Sequence, residues 1–395
     1  MTKKSDTPAI RFKGFTDTWE QRKLGEIGSV SMCRRIFKEQ TSETGDIPFY
    51  KIGTFGAEPD AFISRELFEE YKSKYPYPKK GDILISASGS IGRTVEFAGN
   101  NEYFQDSNIV WLSHDERLSN SFLKCFYSVV KWAGIEGSTI KRLYNDNILN
   151  TVICMPSVPE QEHIGLFFEN LDNLITLHQR KYDKLTNVKK SMLEKMFPKN
   201  GSNVPEIRFK GFTEAWEQRK LGECFSERVE SMPDGELISV TISDGIKKFS
   251  ELGRHDNSND NKSKYKKVCV GDIAYNSMRM WQGASGYSPY EGIVSPAYTV
   301  LSPNAGVFSR CIAYQFKLPQ MIHTFQINSQ GITSDNWNLK YPTLSEIEIY
   351  ISKNVAEQKQ IAEFFTSLDN LITLHQRELE KLKNIKKSCL ENMFV

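Results

Sequence analysis

The longest pattern of apolar positions in the chain has a helical period and occurs twice. Isoleucine, leucine, histidine and methionine side chains recur every seven residues from Ile164 to Met192, and further apolar residues lie four positions beyond members of this series. The pattern returns from Ile361 to Cys389. Spacings of three and four residues are the repeat of a coiled coil. Both stretches are therefore predicted to be long helices with an apolar seam.

The seam of each predicted helix needs a partner. At about 1.5 Å per residue each helix would be roughly 55 Å long, more than an isolated globular helix needs, and the other copy is the simplest partner, in antiparallel packing. Ser157 with Glu160, and Asn354 with Glu357, match the capping-box signal of a helix start. The residues predicted to pack helix against helix are Leu171, Ile175, His178, Leu185, Leu368, Ile372, His375 and Leu382.

The whole chain is a tandem duplication. The segment from Leu171 to Arg180 returns letter for letter from Leu368 to Arg377, an offset of 368 − 171 = 197. A motif that opens each copy, Pro8 to Glu26 and Pro205 to Glu223, is nearly identical at the same offset. A period near 200 residues indicates duplicated domains, because solenoid repeats are several times shorter.

Between each opening motif and its helix lies a body in which the two copies diverge. Short strand-like runs separated by turn residues, such as those after Gly81 and Gly271, predict two mixed α/β domains. The predicted boundaries are a first domain over 1–156, a first long helix over 157–197, a linker over 198–204, a second domain over 205–353 and a second long helix over 354–395.

Composition adds few constraints. A chain of 395 residues with 39% hydrophobic residues is typical of two or three globular domains. The seven cysteines include no C-x-x-C pair, which favours reduced thiols, and the polar N-terminus lacks the apolar core of a signal peptide. We therefore expect a cytoplasmic protein. The net charge of +2 permits nucleic-acid binding through local basic patches without requiring it.

These motifs together resemble a known family. The doubled Trp-Glu-Gln-Arg-Lys-Leu-Gly-Glu segment, the Gly-Asp-Ile strands and the two Glu-Gln-x-x-Ile helix starts, at Glu160 and Glu357, are similar to the specificity (S) subunit of Type I restriction-modification systems. The resemblance covers nearly the whole chain. It implies two target recognition domains, each contacting one part of a bipartite double-stranded DNA target, with the two helices acting as a ruler.

The resemblance also implies partners and the absence of catalysis in this chain. Two copies of a methylation subunit, which bind S-adenosylmethionine and methylate adenine at N6, would dock on the helices, and restriction subunits would supply ATP- and Mg-dependent translocation and cleavage. The specificity subunit would carry no cofactor. The sequence contains no phosphate-binding loop and no adenine-methyltransferase motif, as this implies.

Base readout requires hydrogen-bonding side chains on exposed loops. Candidates lie just beyond predicted strands or in polar turns. In the first body they are Ser86, Ser88, Ser90, Arg93, Gln105, Ser107, Asn108, Lys141 and Arg142. In the second body they are Asn276, Ser277, Arg279, Trp281, Gln282, Ser334, Asn336 and Trp337.

Other interpretations of single motifs remain open. Pro59-Asp60 followed by Glu70-Tyr-Lys72 superficially fits a metal-dependent nuclease signature, but chance explains it better, because carboxylates and lysines are common and the second copy has no equivalent. His178 and His375 could bind a metal or fix the helix register. The run from Ser88 to Gly92 could bind a phosphate or form a hairpin turn. A protein-interaction scaffold without DNA specificity is the alternative function.

Overall fold

The computed structural model describes residues 7–132, 142–199, 201–242, 245–253, 255–256, 258, 261–332 and 337–394. The chain forms two compact units, one of residues 1–179 together with 377–395, the other of residues 180–376. Each unit therefore contains a body, the first part of one long helix and the last part of the other. The domain boundaries predicted from the sequence keep each long helix whole, whereas each unit contains parts of both helices.

The first unit contains short strands and short helices ahead of a long helix. Its strands are β1 (Glu20–Lys23), β2 (Gly28–Ser31), β3 (Ile47–Tyr50), β4 (Phe62–Ile63), β5 (Ile83–Ser86), β6 (Thr94–Glu96), β7 (Tyr103–Phe104), β8 (Ile109–His114) and β9 (Val152–Met155). Its helices are α1 (Arg65–Lys74), α2 (Asn120–Val129), α3 (Asn145–Leu149) and the first part of α4 (Val158–Lys195).

A four-stranded antiparallel sheet is the centre of the first unit. Its strand order is β2-β8-β5-β6, and strand β5 is buried along its whole length because helix α2 and the start of α4 cover one face. A smaller sheet, of order β4-β3-β7, packs its aromatic side chains on the other face. Strands β1 and β9 pair separately and join the opening motif to the segment before α4.

The second unit repeats this arrangement with different detail. Its strands are β10 (Glu217–Lys220), β11 (Phe225–Glu227), β12 (Ile238–Thr241), β13 (Gly245–Lys248), β14 (Lys266–Val268), β15 (Ile273–Asn276), β16 (Ser285–Tyr287), β17 (Gly292–Val294), β18 (Tyr298–Pro303) and β19 (Glu348–Ile351). Its helices are α5 (Leu221–Cys224), α6 (Ser309–Gln315), α7 (Pro319–Ile327), α8 (Tyr341–Ser345) and the first part of α9 (Val355–Met393).

The central sheet of the second unit has the equivalent order β11-β18-β15-β16. Strands β10 and β19 pair as β1 and β9 do. The three-stranded sheet of the first unit is replaced by two separate pairs, β12-β13 and β14-β17. The two bodies thus share a central sheet and differ in what covers it.

The helix segments inside each unit run antiparallel. In the first unit, the Phe168 and Phe394 ring centroids are 6.4 Å apart, and the Lys386 ammonium donates to Asp172 at 2.5 Å. Because one set of residue numbers rises as the other falls, the two segments are antiparallel. The prediction of two mixed α/β domains with long antiparallel helices is confirmed. Among the described residues, no helix has an apolar stretch long enough to cross a membrane.

In the second unit, Lys189 pairs with Asp369 at 2.5 Å, and the Phe197 and Phe365 rings stack at 6.2 Å, so these segments are antiparallel as well. All eight residues predicted to pack helix against helix are buried or half-buried. Leu171 and Leu368 are buried. The half-buried members of the set are Ile175, His178, Leu185, Ile372, His375 and Leu382.

A buried ion pair connects each opening motif to the start of a long helix. The Arg11 guanidinium donates through two nitrogens to Glu160, both at 2.7 Å, and Arg208 makes the same paired contact with Glu357. Both carboxylates are fully buried. A buried carboxylate needs such bidentate partners to offset its lost hydration. The sequence predicted that these glutamates would close capping boxes, whereas their oxygens bind the arginines.

The glutamine after each glutamate connects the helix to its body. The Gln161 side chain accepts from the Ser119 N–H at 2.8 Å and donates to the Pro156 carbonyl at 3.0 Å. Gln358 accepts from the Phe308 N–H at 2.7 Å and donates to the Ser352 carbonyl at 2.8 Å. The Glu-Gln dipeptide thus fixes opening motif, body and helix to one another. We call each set of contacts the Glu-Gln clamp.

The clamp predicts a large stability effect at one position. Glu357→Ala leaves the Arg208 charge buried without its partner, and we expect the free energy of unfolding to fall by about 3 kcal/mol. Urea denaturation followed by tryptophan fluorescence would measure it. Glu194→Ala, at an exposed helical site, is the control and should change it by no more than about 0.5 kcal/mol. Equal effects of the two substitutions would contradict this account.

Candidate nucleic-acid interface

The loop after the central strand is held in the same way in both bodies. In the first, the Ala87 N–H donates to the Asn108 carbonyl and the Leu143 N–H donates to the Ala87 carbonyl, both at 2.8 Å. In the second, the Ser277 N–H donates to the Ala297 carbonyl at 3.3 Å, and the Leu339 N–H donates to the Ser277 carbonyl at 2.9 Å. Three chain segments therefore meet at equivalent places, where most candidate residues lie.

Four candidates of the first body come together at this place. Ser88 is buried, and its hydroxyl donates to the Asn108 amide oxygen at 2.8 Å, so it positions Asn108. The exposed Arg142 guanidinium lies 3.4 Å from the Ser107 hydroxyl and 3.5 Å from the same amide oxygen. Ser107 has a φ of +31°, a conformation that costs energy for a residue with a side chain and often marks a functional site. We call Ser88, Ser107, Asn108 and Arg142 the first polar cluster.

The turn between β5 and β6 contains three further candidates. Ser86 is buried and its hydroxyl donates to the Ser90 carbonyl, so this side chain shapes the turn and does not face solvent. Ser90 is exposed at the tip, and the Arg93 guanidinium contacts the Gly56 carbonyl at 3.3 Å. Gly92 has a φ of +85° and faces the Trp132 ring, so only glycine fits there. The segment from Ser88 to Gly92 is therefore a hairpin turn.

The remaining first-body candidates are less central. Gln105 is half-buried and its amide oxygen accepts from the Ile52 N–H at 2.8 Å, which orders a neighbouring loop. Lys141 lies outside the described residues. Sequence reasoning did not select Arg35 as a base-reading residue. Its largely exposed guanidinium pairs with Asp106, next to Ser107, at 2.9 Å. No sequence signal connects Arg35 with Asp106, because they are 71 positions apart.

The second body presents polar and charged groups at the equivalent loop. The Asn276 amide oxygen accepts from the Met278 N–H at 3.0 Å, and Arg279 is exposed. Ser277, like Ser86, is buried, and its hydroxyl bonds to that of Thr299 at 2.9 Å. Ser277 therefore supports the loop from inside. Asn276 and Arg279 remain the accessible candidates here.

Two aromatic candidates of the second body, Trp281 and Trp337, are in contact. The Trp281 and Trp337 rings, both half-buried, pack edge to face with centroids 5.2 Å apart. The Trp281 indole N–H donates to the Met278 carbonyl at 3.1 Å. The amide oxygen of Gln282 is buried without a hydrogen-bond partner within the described part of the chain. Ser334 and Asn336 lie outside the described residues.

Lys317 binds backbone carbonyls at the end of the loop that follows β15. The Lys317 ammonium donates to the Gly283 carbonyl at 2.6 Å, the Ser285 carbonyl at 2.8 Å and the Ile242 carbonyl at 3.3 Å. Burial, with a smaller contribution from the Lys189 charge, lowers the pKa of Lys317 to about 8. Lys317 therefore joins the end of this loop to the segment that contains Ile242.

The residues of the nuclease-like signature are separately engaged. Asp60 pairs with Lys51 at 2.9 Å, Glu70 pairs with Lys74 at 2.9 Å, and the Lys72 ammonium lies over the Phe68 ring. Across the residues that the structure describes, no three side chains of the metal-binding types cluster. The arrangement of donors suits recognition through hydrogen bonds, charge and stacking.

Comparison with known proteins identifies the domain type. The model of the Type I restriction modification DNA specificity domain matches twice, over residues 16–187 and 213–384. A protein described as a type I restriction enzyme specificity subunit, from Haemophilus influenzae, is 61% identical over 157 residues, which are 39% of this chain and 41% of that protein. The chain thus spans less than half the length of this relative.

Two broader comparisons cover most of the chain. A type I restriction enzyme specificity subunit from Methanocaldococcus jannaschii is 25% identical over 349 residues, 78% of this chain and 74% of that protein. The crystal structure of a type I restriction-modification S subunit from M. genitalium has the same fold, with a TM-score of 0.58, 15% identity and coverage of 98% and 99% of the two chains. With two matched domains spanning most of its length, this chain belongs to the family of Type I restriction-modification DNA specificity subunits, which are not themselves catalytic.

Proposed function

We propose that this chain selects the DNA target of a Type I restriction-modification complex, and that each body reads one half of a bipartite sequence. The observation that carries the proposal is that two bodies with one frame each place an arginine and an asparagine at an equivalent loop, in different surroundings. Arg142 and Asn108 are accessible in the first, Arg279 and Asn276 in the second. Arginine and asparagine supply paired donors that match guanine and adenine edges.

The long helices would set the gap between the half-sites. With 38 and 39 residues they extend about 57 Å each at 1.5 Å per residue. Proteins that read two half-sites space their recognition surfaces by one or more helical turns of DNA, roughly 34 Å each. Rigid attachment of each body through its Glu-Gln clamp is what such spacing requires.

The helices would also bind the methylation subunits. Leu174 and Leu177 are 43% and 46% exposed, and their copies Leu371 and Leu374 are 44% and 52% exposed. Exposed leucine pairs on a repeated helical surface are suited to protein contact. Because the pairs occur within identical decapeptides, they offer equivalent sites for two copies of one partner.

The chemistry would reside in these partners. Adenine methylation at N6 requires a flipped base beside S-adenosylmethionine, which the methylation subunits would hold. Restriction subunits, where present, would supply ATP- and Mg-dependent translocation and cleavage. This chain would bind no cofactor and would act in the cytoplasm with the DNA it selects.

A binding selection from randomised duplexes tests the proposal, with this chain co-purified with its methylation subunit. We expect enrichment of two short, different motifs at one fixed separation. One contiguous motif would mean that a single body reads DNA. No enrichment, together with affinity that does not fall as salt rises, would support a protein-interaction scaffold instead.

The two bodies should respond separately to substitution. Arg142→Ala should relax base preference in one half-site and Arg279→Ala in the other, because each removes one base contact worth roughly 1 to 3 kcal/mol. The selection repeated with each variant measures this. Glu43→Ala, at an exposed site that is not a member of the first polar cluster, is the control. Loss of preference in both half-sites from one substitution would refute the assignment.

The leucine pairs should control stoichiometry. Leu174→Glu with Leu177→Glu places charges on one docking surface, so native mass spectrometry should show one methylation subunit per chain instead of two. Adding Leu371→Glu and Leu374→Glu should remove the second copy. Thr176→Glu with Thr373→Glu, exposed on another face, is the matched control and should leave two copies bound. Two copies on the fourfold variant would place the docking site elsewhere.

A further inference from the structure

The loop after the central strand differs in chemistry between the bodies although its backbone is held equivalently. In the first body the residues from Ala87 to Gly92 are small, apart from Ile91. In the second body the residues from Ser277 to Gln282 include two methionines and a tryptophan. Because the shared sheet does not impose this difference, the large apolar side chains need another explanation.

One of these apolar residues anchors the loop, another is exposed on it, and the third packs on a tryptophan of a distant segment. Met280 is fully buried in the core of the second unit. Met278, two residues earlier, is 45% exposed, and Trp281 is half-buried against Trp337. The contact of the Trp281 indole N–H with the Met278 carbonyl, within the same loop, fixes the ring before any ligand binds. We call Met278, Trp281 and Trp337 the apolar wedge.

The neighbours of the wedge indicate what it contacts. Arg279, between Met278 and Trp281, is exposed and positively charged, and Asn276 lies at the base of the loop. A positive charge interleaved with aromatic rings and a flexible apolar side chain suits a polyanion whose bases can stack. Proteins that deform DNA insert methionine and other apolar side chains between base pairs, and aromatic rings stack on unpaired bases.

We propose that the apolar wedge inserts into the DNA at the second half-site and unstacks a base step there, so that the second body reads deformability as well as base edges. The first polar cluster, which lacks such side chains, reads its half-site by hydrogen bonds. This inference rests on the proposed function, and it adds to that function a mode of recognition and a residue, Met278, that the sequence did not single out.

Placing 2-aminopurine at each position of the second half-site in turn tests for unstacking, because its fluorescence rises when stacking is lost. The wild-type chain in complex with its methylation subunit, without S-adenosylmethionine, should raise the signal at one step apart from the methylated adenine. The variant Met278→Ala with Trp281→Ala should lose this rise and bind about tenfold more weakly. Val270→Ala, an exposed apolar site in the same body, should change neither.

A mismatch at that step distinguishes a wedge from an ordinary contact. Mispaired bases cost less to unstack, so the wild-type complex should bind the mismatched duplex more tightly than the matched one. The wedge variant should bind both equally. Trp281→Phe, which keeps a ring, should retain the mismatch preference, and thermal melting would establish that each variant is folded.

These experiments distinguish failure of the apolar wedge from failure of the proposed function. If the wild-type complex selects a bipartite target but shows no fluorescence rise and no mismatch preference, the wedge is refuted and the proposed function survives. A mismatch preference of the same size in the wild type and in the wedge variant also refutes it. If the wild-type complex selects no target, the proposed function itself fails.

Discussion

The buried Arg-Glu pair at the start of each long helix is the interaction on which the rest of the structure depends. Arg11 and Arg208 lie in the opening motifs, while Glu160 and Glu357 begin the helices. Removing such carboxylates from water is costly unless every oxygen is bound, so the pair tolerates little displacement. The adjacent Gln161 and Gln358 extend this constraint to the bodies. Recognition loops and helices are thereby fixed in one geometry.

The clamp also explains why the two copies could diverge where they did. Its residues, the opening motif and the helix all take part in one buried network, in which a single change leaves a charge or amide unpaired. The loops after β5 and β15 share backbone hydrogen bonds, such as those of Ala87 and Ser277, which do not depend on side-chain identity. The mostly small residues of the first loop can therefore be replaced by two methionines and a tryptophan without disturbing the sheet.

Sequence reasoning succeeded where local periodicity carries the information and failed where contacts are distant. The seven-residue repeat around Leu171 and Leu368 predicted both helices, and turn residues predicted the α/β bodies. The capping-box expectation for Glu160 was wrong because Arg11, 149 positions away, competes for the same carboxylate. Ser86 and Ser277 were chosen as polar residues near strand ends, yet side-chain alternation and the packing above them bury both hydroxyls.

By itself the sequence determined the duplication, the helical seams, the divergence of the two bodies and, through these, the family. These are properties of residue order and need no distance in space. Only the tertiary structure decided that Ser88, Ser107, Asn108 and Arg142 form one cluster, and that the Trp281 and Trp337 rings are in contact. Such groupings come from strand pairing and loop crossing, which join residues 20 to more than 50 positions apart. No local pattern of the chain encodes them.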